Sequence, residues 1–260
     1  MPTASRRAVL AAALGVTALG ACGAGRQGPE QRSGTLTSRH WPGRGVRWQL
    51  ALPEGHDSHT PVVVVLHGKG GNAGDAFRVL HLQDHVHETR VGVASVDGGD
   101  FYWHRRRAGV DTGAMVVEDF LPLVRRVTGY AGKLAFLGWS MGGYGSLLLA
   151  SQLGPDRVGA VVAESAALWT SPGSSAPGAF DDRDDFLAHD VFAPRRLRVL
   201  RRIPVRLDSG ASDPFVAGNR AFAEALPTAH LTVDDGAHTG DYWRGHAGAQ
   251  LRWVAERLRA

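Results

Sequence analysis

The sequence predicts an α/β protein: one mostly parallel sheet with helices on both faces. Three observations carry that expectation. Apolar strand-like runs alternate with helix-like segments along almost the whole chain from Val46 onward, the order of repeated βαβ units. Several runs, Val62-Val63-Val64-Val65-Leu66 among them, are continuously apolar and β-branched, as strands buried on both faces are. The third is Gly138-Trp139-Ser140-Met141-Gly142, which sits between a short apolar run and an Ala/Leu-rich segment ending near Leu153. A serine on such a strand-to-helix turn needs small residues two positions either side, because the backbone is strained and closely packed there. At 260 residues, 43% hydrophobic, the chain is long enough to build one large domain around a substantial core.

The N-terminus is set apart as an export signal over residues 1–21. Ser5-Arg6-Arg7 precedes an apolar run from Ala8 to Ala21 that is too short to span a bilayer. The paired arginines resemble a twin-arginine signal. Leu19-Gly20-Ala21-Cys22 resembles the lipobox of bacterial lipoproteins, which implies lipidation of Cys22 as the new N-terminus. Cys22 is the only cysteine, so no internal disulfide is available. The expected location is the outer face of the cell membrane, through that anchor; plain secretion is the alternative. Residues 22–45 are rich in Gly, Arg, Ser and Pro without an apolar period, the composition of a flexible linker, which leaves 46–260 as the domain.

The net charge of +4 is carried almost wholly by arginine; Lys69 and Lys133 are the only lysines. Apart from Arg105-Arg106-Arg107 no basic block is long enough for a nucleic-acid footprint, so no nucleic-acid partner is expected.

Within the domain, Val46 to Leu52 alternates like a half-exposed strand, and Pro61 to Leu66 is a buried one. Asn72 to His87 predicts a helix and Val91 to Val96 the next buried strand. His81 and His85 stand one turn apart on that helix. They lack the Glu of a zinc-binding His-Glu-x-x-His pair, so neither a metal nor any cofactor is expected. Asp97 to Arg107 is dense in Gly, aromatics and Arg, at the strand end where open α/β sheets bind ligands. Trp103 and His104 there, with Trp139 of the Ser140 turn, are candidates for the substrate pocket wall, although the aromatics serve equally well as packing. Ala114 to Val127 is an amphipathic helix with a kink expected at Pro122. After the Ser140 turn, Val158 to Ala163 is another strand. Ala167 to Arg202 then breaks the alternation, with a loop or lid insertion near 170–202 containing acidic Asp181-Asp182-Arg183-Asp184-Asp185. Ile203 to Asp208 and Ala229 to Val233 are the last strands; Phe215 to Ala225 and Asp241 to Arg259 are the last helices.

A serine hydroxyl is a weak nucleophile and needs a base, and the base needs a third group to orient it. Candidates follow in the order Ser140, Asp213, His238, each in a loop after a different strand. Asp208, at the strand end itself, is the rival acid. His230 lies mid-strand and His246 on the final helix, both poorly placed for a base, and His67 suits a structural role. The Gly-rich loop His67-Gly68-Lys69-Gly70-Gly71 is positioned to offer backbone N–H groups to a developing oxyanion. Lys69 is the first choice and Gly70 the second, joined by the N–H of Met141.

These motifs together, Leu66-His67-Gly68, Gly138-Trp139-Ser140-Met141-Gly142-Gly143, Gly210-x-x-Asp213-Pro214-Phe215 and Gly236-x-His238 with Tyr242-Trp243, resemble the esterase D / antigen 85-like group of α/β-hydrolases. The resemblance runs from about Val46 to Arg259. It implies the α/β-hydrolase fold, Ser140 as nucleophile, His238 as base, Asp213 as acid, and Lys69 and Met141 as oxyanion donors. The implied activity is hydrolysis of carboxylic esters, small, lipid or polymeric, through an acyl-enzyme on Ser140. Acyl transfer to an alcohol or sugar hydroxyl on the same fold stays open, as does a non-catalytic surface binding protein on a hydrolase scaffold.

Overall fold

The structure, a computed structural model, describes residues 28–260; the export signal and Cys22 lie outside the described residues. Its strands are β1 (Glu30–Thr37), β2 (Gly45–Leu52), β3 (Val62–Leu66), β4 (Gly92–Val96), β5 (Leu134–Trp139), β6 (Val158–Glu164), β7 (Val205–Gly210) and β8 (His230–Asp234). They form one sheet in the order β1-β2-β4-β3-β5-β6-β7-β8. β2 runs antiparallel to β1 and β4, and every other pairing is parallel. This is the mostly parallel sheet expected of the α/β-hydrolase fold.

The core divides by side-chain alternation along the strands. Val62, Val64, Leu66 and Phe136 face a layer built from α3 (Thr112–Met115), α4 (Leu121–Thr128), α5 (Met141–Leu153), α7 (Pro194–Leu200) and α8 (Val216–Ala225). Val63, Val65, Ala135 and Leu137 face the other layer, formed by α1 (Asp75–Arg78), α2 (Gln83–Thr89) and α9 (Gly240–Arg259). Between Met141 and Ser151 every residue of α5 is buried, which makes it the central helix behind the Ser140 turn.

Two expectations need correction, and a third acquires a mechanism. The linker expected over 22–45 is in part a strand: Glu30–Thr37 pairs along its whole length with β2. It hides in the sequence because an edge strand with one buried apolar residue, Leu36, carries no hydrophobic period. Gly34 lies beneath the Trp48 ring, where a Cβ would come within 2.8 Å of Cζ2. The single helix expected over Asn72 to His87 is two short ones, α1 and α2. His81 sits between them at φ 53°, in the left-handed region, and so does not share a helical face with His85. At Pro122 the helix is accommodated by a π turn over Val116–Phe120, in which the Leu121 N–H reaches Val116 O. That wider turn stands directly ahead of the residue that has no N–H to give and whose ring would crowd the carbonyl four residues back.

The insertion at 167–202 carries a short 3₁₀ turn (Pro172–Ser174), α6 (Arg183–His189) and α7. It is fastened to the loop after β4 by the two charge runs. Arg106, buried, donates from Nε and Nη2 to Asp181 Oδ1 at 3.2 and 2.9 Å. Its Nη1 donates to the carbonyls of Gly178 and Ala179, both at 3.0 Å. The Arg107 N–H adds a bond to Asp181 Oδ2 at 2.5 Å, and its guanidinium pairs with Asp182. Arg106→Met keeps most of the volume but removes the bonds to the exposed Asp181 carboxylate and to two carbonyls, of which Ala179 O is buried, so it is expected to cost about 1–3 kcal/mol. Urea unfolding measures that loss, and limited proteolysis should cut first within 170–182. Stability and cleavage pattern both unchanged would show that the clasp does not hold the insertion.

Candidate active site

Ser140 stands immediately after β5, at φ 54° and ψ −120°. An L-residue held in this region is strained, and the strain persists only because neighbours fix it. The Ser140 N–H donates to Glu164 O at 2.9 Å, and its carbonyl accepts from the Ala167 N–H at 3.0 Å. The flanking glycines are required by contact: a Cβ on Gly138 would collide with Gly142 O, and one on Gly142 with Leu66 O. The turn therefore presses against the end of β3 and lifts the hydroxyl to the carboxyl edge of the sheet.

His238, in the loop after β8, places Nε2 3.0 Å from Ser140 Oγ. Its Nδ1 lies 2.9 Å from Asp213 Oδ2, in the loop after β7. The other oxygen of Asp213 accepts from the Phe215 N–H at 2.8 Å. Burial pushes the Asp213 carboxyl upward, but the bonds from His238, the Phe215 N–H and Ser165 outweigh it and hold the group below its ordinary range. An ionised carboxylate only accepts, so it places the imidazole proton on Nδ1 and leaves the Nε2 lone pair facing the serine. The His238 ring meets Trp243 and Phe215 edge-on, with centroids 5.0 and 5.2 Å away. Trp243 is itself anchored by its Nε1–H to Ser165 Oγ at 3.1 Å.

The rival acid, Asp208, is occupied elsewhere. Its oxygens accept from Arg206 Nε at 3.1 and 2.8 Å and from Gln250 at 2.9 Å. His246 pairs with Asp234 at 3.0 Å. His67 is fully buried; Nδ1 donates to Gly68 O at 2.7 Å and Nε2 accepts from the Gly98 N–H at 2.9 Å, so it ties the loops after β3 and β4.

That tie sets the oxyanion-side loop. The Gly70 N–H is taken by Asp100 Oδ1 at 2.6 Å, which removes the second-choice donor. Neither the Lys69 nor the Met141 N–H donates to a protein acceptor among the described residues. Gly68 brings the loop against the nucleophile, since a Cβ there would lie 3.3 Å from Ser140 Cβ.

The pocket candidates are placed differently from expectation. Trp103 is fully buried and fills the space left by Gly98 and Gly145, so it is core rather than wall. His104 is buried beneath the insertion, stacked between Phe180 and His189. Trp139 is buried against Gly68 and Trp243. The half-buried aromatics beside His238 are instead Phe215 and Trp243; Trp169 packs behind Phe215, 5.7 Å away edge to face, with Tyr102 next to it. Phe215 belongs to the Asp213-Pro214-Phe215 motif, which is the signal for it. Trp169 had no signal beyond its place after β6. A cleft of about 650 Å³ lies at the opposite end of the sheet, where β7 and β8 begin, and touches none of these groups.

Strand order and the positions of the three loops define the α/β-hydrolase class. A family model described as "Putative esterase" matches residues 40–249, so the chain belongs to this esterase family and is a carboxylic ester hydrolase. Among solved structures it is similar to a ferulic acid esterase, at 20% identity and TM-score 0.76 over 88% of this chain and 99% of that one. It is also similar to an S-formylglutathione hydrolase from Agrobacterium tumefaciens, at 19% identity and TM-score 0.74 over 89% and 96%. A third is the fluorophosphonate-binding serine hydrolase F of Staphylococcus aureus, at 16% identity and TM-score 0.73 over 88% and 99%. At these identities the likeness is one of fold. No match is found among curated proteins.

Glu164, which the sequence reading did not single out, lies under Ser140 and accepts its N–H through the backbone carbonyl. Its carboxyl is fully buried, makes no hydrogen bond, and is in register with Asp208 across β6 and β7. Burial, then the Asp208 charge, pushes it well above the ordinary carboxyl range. The folded state thus holds a proton that the unfolded chain releases near about pH 4.3, and stability falls as pH rises from there toward the raised value. Glu164→Gln removes this titration at constant shape. Its stability relative to wild type should rise as pH increases above about pH 4.5, followed by urea midpoints. A difference that does not vary with pH would refute the account.

Proposed function

We propose that the protein hydrolyses carboxylic esters through an acyl-enzyme on Ser140. The observation that carries this reading is the hydrogen-bonded chain Asp213–His238–Ser140 at the carboxyl edge of the sheet. His238 takes the Ser140 proton as Oγ attacks the ester carbonyl. The tetrahedral oxyanion is received by the N–H groups of Lys69 and Met141, at the N-terminus of α5. His238 then returns the proton to the leaving alcohol. Water repeats the sequence with His238 as base and frees the acid. Phe215, backed by Trp169, supplies apolar surface beside the histidine.

A p-nitrophenyl ester series of increasing acyl length, with and without an added alcohol, tests this. Ser140→Ala should retain the fold and lose roughly a million-fold in turnover, and His238→Ala should lose a similar amount. Lys69→Ala should stay near wild type, because the donor is the backbone. Lys69→Pro removes that N–H and should cost about 100- to 1000-fold. Activity retained by Ser140→Ala would refute the mechanism.

We propose also that the chain is exported and held at the outer membrane face by lipid on Cys22. Arg6-Arg7 and Leu19-Gly20-Ala21-Cys22 support this reading. Because β1 begins at Glu30, eight residues after Cys22, the leash reaches at most about 29 Å. Cys22→Ala should move the protein from the membrane pellet to the soluble fraction. Equal partitioning of wild type and variant would refute the anchor.

A further inference from the structure

His104, Asp185 and His189 each direct one ligand-type atom into a common space, all within 4.8 Å of one another. His104 reaches it from the loop after β4, the other two from α6 of the insertion. The His104 side chain is 1% exposed. Its Nδ1 lies 3.1 Å from the Tyr102 carbonyl, which only accepts, so Nδ1 carries the proton and Nε2 the lone pair. That Nε2 is buried and has no hydrogen-bond partner; it points at Asp185 Oδ2, 3.4 Å away. Two lone pairs facing each other in a dry place repel unless a cation lies between them. The carboxylate is held in turn by the Asp181 N–H, 2.8 Å from Oδ2. A ring nitrogen fixed by a carbonyl and a carboxylate fixed by an amide are the outer supports that metal ligands usually have.

We propose that His104, Asp185 and His189 form a binding site for a divalent transition-metal ion of the zinc type. Two imidazoles and one carboxylate suit zinc and disfavour calcium and magnesium, which take oxygen shells. Ligand bonds of about 2.1 Å in a tetrahedron separate neighbouring donors by about 3.4 Å, the spacing His104 and Asp185 already have. His189 is the ligand that moves. Its Nδ1 lies 2.9 Å from both the Asp185 carboxylate and the Asp185 carbonyl, and its ring stacks on His104 at 4.3 Å. Coordination shifts its proton to Nε2 and tilts the ring out of the stack, and its partial exposure leaves room for both. Water completes the fourth position. The ion would then lock the insertion to the loop after β4, beside the Arg106–Asp181 clasp. The role is structural, with no part in the proton transfers at Ser140.

Metal-stripped protein titrated with ZnCl₂ in a calorimeter is the test, with Co²⁺ absorption as a second readout. One zinc should bind through these residues. At about 100 times the dissociation constant it should raise Tm by about 5–10 °C and slow proteolysis within 170–182. His189→Gln and Asp185→Asn, each first shown to be folded, should lose that binding increment, the visible Co²⁺ band and the Tm shift. Zinc held elsewhere on the histidine-bearing surface would persist in both variants. No zinc bound by wild type, or binding and Tm shift unchanged in His189→Gln, overturns the site.

Discussion

The turn at Ser140 holds a backbone conformation that an isolated peptide would abandon, and the sheet keeps it there. Its N–H is tied to β6 through Glu164 O, and its carbonyl to the segment after β6 through the Ala167 N–H. From the third side Gly142 packs directly on the carbonyl of Leu66 at the end of β3. The strain of an L-residue in the left-handed region, of order 1–3 kcal/mol, is small beside these restraints and the burial of α5. Everything else about the site is arranged around a hydroxyl that has no freedom to retreat.

The sequence made this part plain because the local rules are stringent there. Glycines two residues either side of a serine, between a short apolar run and an apolar helix, suit a tight strand-to-helix turn and little else. The loops with Asp213 and His238 were legible for a related reason: each follows an apolar run that marks a strand of the sheet. What stayed illegible was set by the environment. β1 is polar because an edge strand has little to bury, and its pairing partner lies across a turn. The break at His81 depends on where α1 and α2 dock. Trp103 and His104 have pocket-like composition, yet whether an aromatic lines a cleft or fills the space above Gly98 and Gly145 depends on contacts remote in sequence.

The two charge runs show the same limit from another direction. Arg105-Arg106-Arg107 and Asp181 to Asp185 each have the look of a solvated face. They are complementary halves of one fastening, more than seventy residues apart. Arg106 places four of its five N–H donors on one carboxylate and two carbonyls, which is why it tolerates burial. The clasp adds a polar tie to the loop after β4 to the apolar packing of Ala179, Phe186, Val191 and Leu197 that seats the insertion on the core.

The spacing of His238 and Asp213 from Ser140 is likewise a property of the sheet. The loops after β7 and β8 are bonded to each other, Ala211 N–H to Asp234 O at 2.7 Å and Ser212 N–H to Gly236 O at 2.9 Å. Gly210 has no room for a Cβ, which would strike the Gly236 carbonyl, so the two loops travel as one body. Register between β7 and β8 thus becomes the 2.9 Å between Asp213 and His238. Register from β5 through β6 to β7 becomes the 3.0 Å to Ser140. Groups held this way are already within hydrogen-bond distance and need no closing movement to meet. Substrate selection can then fall to parts built separately from that frame: the aromatics after β6 and β7, and the insertion clasped above them.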